Sequence, residues 1–453
     1  MGRDLLPLEE VPCGNIIGIG GLAGRLLKNG TIVENNLQGV NLAGSVMYSQ
    51  PIVRVAVEPV NPMKFGKLVK GLRMLNQCDP CVETFVNENG EHILCTAGEL
   101  HLERCLKDLT ERFSKIEITS SDPVIPYKES FYSNDEMNPT KSPVGERGVF
   151  DFVLGKYKIK LSTRQMPEKC SDFLIEHEDL IKKIALHRVY HKQFYAKLQS
   201  LLPEELSIED IAAFGGKKYG PNILFAKNNL LRVLHNKNSK DIIPYGDSII
   251  NGFQLATNEG PLAKEEVQRM IVVIESFQEI EPKSTTQIAD MSGRLMTATK
   301  NAIHQSFLDW SPRLLWAMYT CTIQTSLEVL GKVYAVVQQR HGRIVSEEMK
   351  EGTPFFEIVC NVPVVEAFGF SESIRKRSSG AALPQLVFKG FEPIDLDPFW
   401  VPTTEEELEE LGEFAERENI ARKHMNDIRR RKGLFVDDKV VKDGQKQKTL
   451  KKD

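Results

Sequence analysis

The sequence predicts an α+β multidomain chain, in which two small sandwiches of one topology flank an α/β insert. Three observations predict it. From Ile52 to Ser121, short β-branched runs and helical apolar spacings follow one another as β-α-β-β-α-β. The same order returns between Met318 and Phe388. The 453 residues leave room for three or so domains, at about 150 residues each. The repeated order is the split βαβ, or ferredoxin-like, pattern, and its recurrence is an arrangement of the whole chain.

Residues 1–50 read as the end of a β-barrel domain, a partial β-barrel. Asn15 to Leu22 is a Gly-rich strand, and Lys28 to Ile32 a hairpin-like turn. Gly18-Ile19-Gly20-Gly21-Leu22-Ala23 fits GxGxxA, but a dinucleotide site needs a helix straight after the glycines. Here another turn and strand follow. In 51–121, Ile52 to Val57 is a strand, and Asn61-Pro62 supplies an N-cap and an N1 proline. Phe65, Leu68, Val69, Leu72 and Leu75 then share one helical face. Cys81 to Val86 and His92 to Cys95 flank Asn87-Glu88-Asn89-Gly90, and Asn-Gly signals a hairpin because both residues tolerate positive φ. Leu100 to Leu109 is a helix, and Lys115 to Ile118 the closing strand.

Asp122 to Tyr127 is an extended linker, since proline disfavours helix in the residue before it. Within 122–310, Phe150 to Leu154 and Tyr157 to Leu161 are strands around Gly155-Lys156. Glu176 to Leu202 reads as one long amphipathic helix. Ser248 to Thr257 and Val267 to Phe277 are further elements, and Arg294 to Phe307 is a helix. In 311–395 come a strand at Met318 to Ile323, a helix from Leu327 to Arg340, and strands at Arg343 to Ser346 and Phe355 to Val362. A helix from Val365 to Arg377 and a strand at Gln385 to Phe388 complete the unit. In 396–453, Thr404-Glu405-Glu406-Glu407 is a capping-box start, and the helix runs to Arg429-Arg430-Arg431-Lys432 at its negative end. Lys439 to Lys452 is polar, lysine-rich and disordered in composition.

Composition narrows the function classes. The formal net charge is −4, so nucleic-acid contact must come from local basic patches. Met1-Gly2-Arg3-Asp4 leads into no signal-peptide core, and no apolar run approaches the roughly 18 residues of a membrane helix. Eight scattered cysteines point to reduced thiols and an intracellular compartment. Cys78-Asp79-Pro80-Cys81 lies near His92, Cys95, His101 and Cys105 in sequence, but these fall on different elements, and the pair reads as a turn rather than a zinc site. His187 and His191 stand at i, i+4 among Lys182, Lys183, Arg188, Lys192 and Lys197, a basic face rather than a metal site. Phe214-Gly215-Gly216-Lys217-Lys218-Tyr219-Gly220-Pro221 is a Gly-rich basic loop. It is not a P-loop, and Asn236-Lys237-Asn238-Ser239 lacks the aspartate of NKxD. No catalytic, nucleotide-binding or metal residue emerges.

Several segments resemble the elongation factor 2 and bacterial translocase family. They include Val11-Pro12-Cys13-Gly14-Asn15-Ile16, Arg54-Val55-Ala56-Val57-Glu58-Pro59, Ala97-Gly98-Glu99-Leu100-His101-Leu102-Glu103 and Ser121-Asp122-Pro123-Val124. Gly252-Phe253-Gln254-Leu255-Ala256-Thr257, Glu259-Gly260-Pro261, Pro363 to Phe370 and Pro384-Gln385-Leu386-Val387-Phe388 continue the series in family order. The resemblance implies the end of domain II (1–50), domain III (51–121), domain IV (122–310), domain V (311–395) and a C-terminal helix and basic tail (396–453). The family's GTPase domain has no counterpart here, so its cofactors, GTP and magnesium, are not expected to bind this chain.

Elongation factor 2 carries a modified histidine in a loop that here, at Glu279 to Gly293, holds none. Asp397-Pro398-Phe399-Trp400-Val401-Pro402 and Arg430-Arg431-Lys432-Gly433-Leu434 resemble the elongation factor-like GTPase branch. That branch implies a cytoplasmic factor for large (60S) ribosomal subunit maturation. Its partners are the large subunit, the Shwachman–Bodian–Diamond syndrome protein and the anti-association initiation factor that the two release. The alternative is a translation translocase fragment. Expected ribosome-contacting residues are Lys217, Lys218, Arg375, Lys376, Arg377, Arg429, Arg430, Arg431 and Lys432.

Overall fold

The computed structural model describes residues 6–22, 25–26, 28–34, 51–87, 89–133, 147–187, 191–227, 230–232, 234, 245–280, 291–400 and 419–436. It divides into two compact units, Met1–Pro126 with Tyr319–Lys389, and Tyr127–Met318 with Gly390–Asp453.

The expected barrel strand at Asn15 to Leu22 and the turn at Lys28 to Ile32 form no strand among the described residues. Ile16, Ile17 and Ile19 are exposed. Residues 35–50, the rest of the expected partial β-barrel, lie outside the described residues. One tie is local: the Lys28 ammonium donates to the Val82 carbonyl at 2.5 Å.

The first sandwich follows its pattern. β1 (Val53–Pro59) buries Val53, Val55 and Val57 and turns Arg54 and Glu58 to solvent, the alternation of a half-covered sheet. The Asn61 side chain accepts from the Met63 N–H at 3.0 Å and opens α1 (Phe65–Cys78) through a short 3₁₀ turn. Leu68, Leu72 and Leu75 face the sheet. β2 (Glu83–Val86) and β3 (His92–Thr96) form the hairpin, with Gly90 at φ 84°. α2 (Glu99–Asp108) and β4 (Ile118–Ser120) complete it. Strand order β2-β3-β1-β4 is the ferredoxin-like sheet.

In the second unit, β5 (Lys128–Tyr132) pairs in parallel with the later short strand Glu266–Val267. β6 (Val149–Leu154) and β7 (Tyr157–Gln165) form the expected hairpin about Gly155, at φ 60°. The single long helix does not form. α3 (Glu168–Glu176), α4 (Glu178–His187) and α5 (Lys192–Leu201) replace it. α3 starts upstream behind Pro167, and His177 ends it, its ring Nδ1 set on the Phe173 carbonyl at 2.9 Å. Three short helices let Phe173, Ile181, Ile184, Phe194, Tyr195 and Leu198 all reach one sheet face. His191, extended at φ −109° and ψ 95°, precedes α5 rather than lying within a helix, and residues 188–190 are outside the described ones.

That sheet is completed by β8 (Ile211–Gly215), β9 (Asn222–Ala226) and, after α6 (Gly246–Asn258) and β10 (Glu266–Val267), by β11 (Met270–Glu279). Its order is β6-β7-β11-β9-β8. α7 (Met291–Asp309) packs on α6 where Gly252 has no room for a side chain, its Cβ site lying 2.7 Å from the Met296 carbonyl. The loop carrying the expected histidine-free segment lies mostly at 281–290, outside the described residues.

β12 (Ser311–Ser326) opens the second sandwich. α8 (Leu330–Gln339), β13 (Arg343–Met349), β14 (Phe355–Pro363), α9 (Phe370–Arg377) and β15 (Leu383–Pro393) follow in the expected order. α9 starts later than the apolar spacing suggests, because Gly369 at φ 68° breaks the chain before it. α10 (Ile420–Arg431) is the described part of the tail helix; the Thr404 capping box and the lysine-rich end lie outside. The Asn419 side chain caps α10 by accepting from the Arg422 N–H at 3.1 Å. Among the described residues, no helix is long and apolar enough to cross a membrane.

Candidate nucleic-acid interface

Two of the three expected basic clusters come together on the second unit, around the turn from Glu259 to Glu266. One side is the β8–β9 loop. Gly216, Lys217 and Lys218 have φ of 86°, 53° and 73°. The Gly216 carbonyl accepts from the Tyr219 and Gly220 N–H groups at 3.1 and 2.8 Å, closing one left-handed turn. Each lysine held this way costs about 1–2 kcal/mol. Three side chains at the end of α6 offset that cost. The N–H groups of Gly216, Lys217 and Lys218 donate to Thr257 Oγ1, Asn258 Oδ1 and Gln254 Oε1 at 2.9, 2.8 and 2.9 Å. Both lysine side chains are exposed.

The turn itself is built on Glu129, the fully buried second residue of β5. Its carboxylate accepts from the N–H groups of Leu262, Ala263 and Glu265 at 2.7, 2.9 and 2.9 Å. A side chain at Gly260 would collide with that carboxylate. Burial pushes the Glu129 carboxyl up to about 7, against the three N–H donors that pull it down. Its ordinary value is 4.5. The folded state thus holds this proton more tightly than the unfolded one. Its stabilising contribution is full below the ordinary value and lost as pH rises through the folded one. The second unit is expected to lose about 3 kcal/mol of stability from about pH 5 to about pH 8. Urea unfolding across that range reads it, and Glu129→Gln should flatten the slope.

The outward carbonyls of the same turn take the tail helix. Arg429 Nε donates to the Leu262 carbonyl at 2.5 Å. The Lys432 ammonium donates to the carbonyls of Ala263 and Lys264 at 3.0 and 2.7 Å and pairs with Glu265 at 2.7 Å. Lys128 and Lys217 both pair with Glu266, Lys217 at 2.7 Å. Burial raises the Glu266 carboxyl, but Lys128 and then Lys217 overcome it and hold it at about 2. Arg430 pairs with Asp427 at 2.9 Å, and Arg431 is exposed. Arg429 and Lys432 thus fasten the helix, while Arg430 and Arg431 stay on the surface.

Arg375, Lys376 and Arg377 stand apart, in the first unit, on the exposed last turn of α9. Lys376 pairs with Glu372 at 2.7 Å, and Arg377 donates to Gln339 Oε1 at 2.9 Å. The same unit holds a cleft of about 670 Å³ between the starts of α2 and α9. There Tyr319 Oη donates to the Ala97 carbonyl at 2.7 Å, and Glu99 accepts from the Gly369 N–H at 2.8 Å.

The CxxC turn brings Asp79, His101 and Cys105 within 4.8 Å of one another, a possible cation cluster. The His101 ring is already engaged: Nδ1 accepts from the Ala97 N–H at 3.1 Å and Nε2 faces Asp79 at 2.9 Å. With Nδ1 an acceptor, Nε2 carries the proton toward Asp79. Burial first, then Asp79 and Asp108, push the Cys105 thiol up to about 12. Both ring nitrogens are thus engaged within the turn itself.

Sequence reasoning found the exposed lysines but missed Glu129, Gln254, Thr257, Asn258 and Glu266, which position them. Only Glu129 left a signal, a carboxylate between Tyr127 and Phe131 in the inward row of a strand.

The fold defines a class first. Residues 48–121 match the family described as Elongation Factor G, domain III, and residues 313–400 match Elongation factor G C-terminus. Ribosome assembly protein 1 of Saccharomyces cerevisiae is 56% identical, covering 100% of this chain and 44% of the relative. Ribosome assembly protein 1 of Schizosaccharomyces pombe is 43% identical, over 100% and 49%. Elongation factor-like GTPase 1 of Homo sapiens is 37% identical, again over 100% and 49%. These proteins are homologues of this chain, and its two matched domains are those of an elongation factor-like C-terminal part. The chain spans about half the length of the curated relatives it matches.

Proposed function

We propose that this chain is the ribosome-docking part of a ribosome-assembly factor acting in cytoplasmic maturation of the large (60S) subunit. Its similarity, over its full length, to proteins named for ribosome assembly carries the reading. The basic surface around Glu259 to Glu266 supports it, because a chain of net charge −4 concentrates exposed cations there. The proposed outcome is release of the anti-association initiation factor from the large subunit, in concert with the Shwachman–Bodian–Diamond syndrome protein. GTP and magnesium belong in this scheme to the family's nucleotide site, whose P-loop signature is not found in these 453 residues.

The test is sucrose-gradient sedimentation of the purified chain with free large subunits. Comigration at low salt, lost as salt rises, is the expected result, because phosphate contacts release counterions. A chain that stays at the top of the gradient at low salt refutes the reading.

A further inference from the structure

The geometry assigns Lys218 and Lys264 as a preorganised contact for an RNA phosphodiester backbone. This rests on the docking function proposed above and names the chemistry of its contact. Positive φ favours glycine, which lacks the Cβ that clashes with the following carbonyl, or asparagine, whose short side chain hydrogen-bonds locally. Here it falls on Lys217, Lys218 and Lys264, at 53°, 73° and 53°. The three sit around one turn: Lys217 pairs with Glu266, two residues beyond Lys264.

Each strained backbone is held from several sides. Gln254 Oε1 accepts from the Lys218 N–H at 2.9 Å, and Gln254 Nε2 donates to the Phe214 carbonyl at 2.6 Å. Lys264 lies between Ala263 and Glu265, whose N–H groups both end on Glu129. Its carbonyl accepts from the Lys432 ammonium.

Charge separates the members. Lys217 is compensated by Glu266. Among the described residues, neither Lys218 nor Lys264 has a carboxylate within ion-pair distance, and Lys264 meets Glu259 only through a longer-range attraction that helps lower that carboxyl. These are the cations left to meet an anion, and both are on backbone that a smaller neutral residue would adopt at less cost. Strain maintained by surrounding hydrogen bonds marks functional positions. A polyanion with regularly spaced charges suits two fixed ammonium groups better than one small anion does.

The experiment measures binding of the full chain to a fluorescein-labelled RNA hairpin by anisotropy over a potassium chloride series, with thermal melting in parallel. Lys218→Ala, Lys218→Gly, Lys264→Ala and Lys264→Gly are each expected to weaken binding and to reduce the salt slope by about one. At both positions the glycine variant should melt above the alanine variant, the reverse of the usual order. Gln254→Ala keeps both ammonium groups and should weaken binding with the salt slope unchanged. Alanine and glycine variants that bind with the parental affinity and slope overturn the assignment, as does Gln254→Ala binding like the parent. A parent chain that binds neither the hairpin nor large subunits overturns the docking function itself.

Discussion

Glu129→Ala is expected to destabilise the Tyr127–Met318 unit by about 4 kcal/mol, measured by urea unfolding near neutral pH. The side chain is fully buried and ends three backbone hydrogen bonds from one turn. Alanine leaves those three N–H groups with nothing to donate to. Each orphaned buried donor costs about 1–3 kcal/mol, and relief of the buried carboxyl's own desolvation returns part of the total. Glu129→Gln keeps one acceptor oxygen but turns an amide toward donors, so it should fall between alanine and the parent. The damage should also travel. The same turn holds Arg429 and Lys432 on its outer carbonyls. Faster amide exchange in α10 of Glu129→Ala, about 290 residues further along the chain yet joined through one turn, is therefore expected. A loss below about 1 kcal/mol would mean the turn stands without its carboxylate.

The two sandwiches were legible because their signal is local and repeated. Val53, Val55 and Val57 alternate, Leu68, Leu72 and Leu75 step by helical spacing, and Asn87 to Gly90 turns the chain between two short strands. The long helix was misread for a related reason. Apolar spacing persists through His177 because three helices pack on one sheet face, and periodicity alone does not register the breaks.

The basic clusters were legible as charge and not as roles. Arg429, Arg430, Arg431 and Lys432 look equivalent in sequence. In the fold, Arg429 and Lys432 face carbonyls of a turn 167 to 169 residues earlier, whereas Arg430 pairs with Asp427 on its own helix and Arg431 is exposed. No local rule foretells left-handed lysines, since propensity would place glycine or asparagine there. The departure from propensity is itself the information, and it appears only once the φ angles are known.

Replacing Lys218, Lys264, Arg430 and Arg431 together by glutamate is expected to weaken large-subunit binding by two to three decades. Each phosphate contact contributes about 0.9 to the slope of log affinity against log salt. Four contacts, carried from about molar to about 0.15 M salt, amount to roughly three decades. These four residues are chosen because all are exposed, and Arg430 pairs with Asp427 on its own helix. Lys128, Lys217, Arg429 and Lys432, which fasten the turn or the tail helix, are left in place. Unfolding should therefore change little, and relief of left-handed strain is not expected, since glutamate at positions 218 and 264 still carries a Cβ at φ 73° and 53°. The control is the same reversal at Arg375, Lys376 and Arg377 in the first unit, which removes three charges from a helix end. If the Lys218 variant binds like the parent while the α9 variant does not, docking runs through the first unit, and the surface around Glu259 to Glu266 is structural.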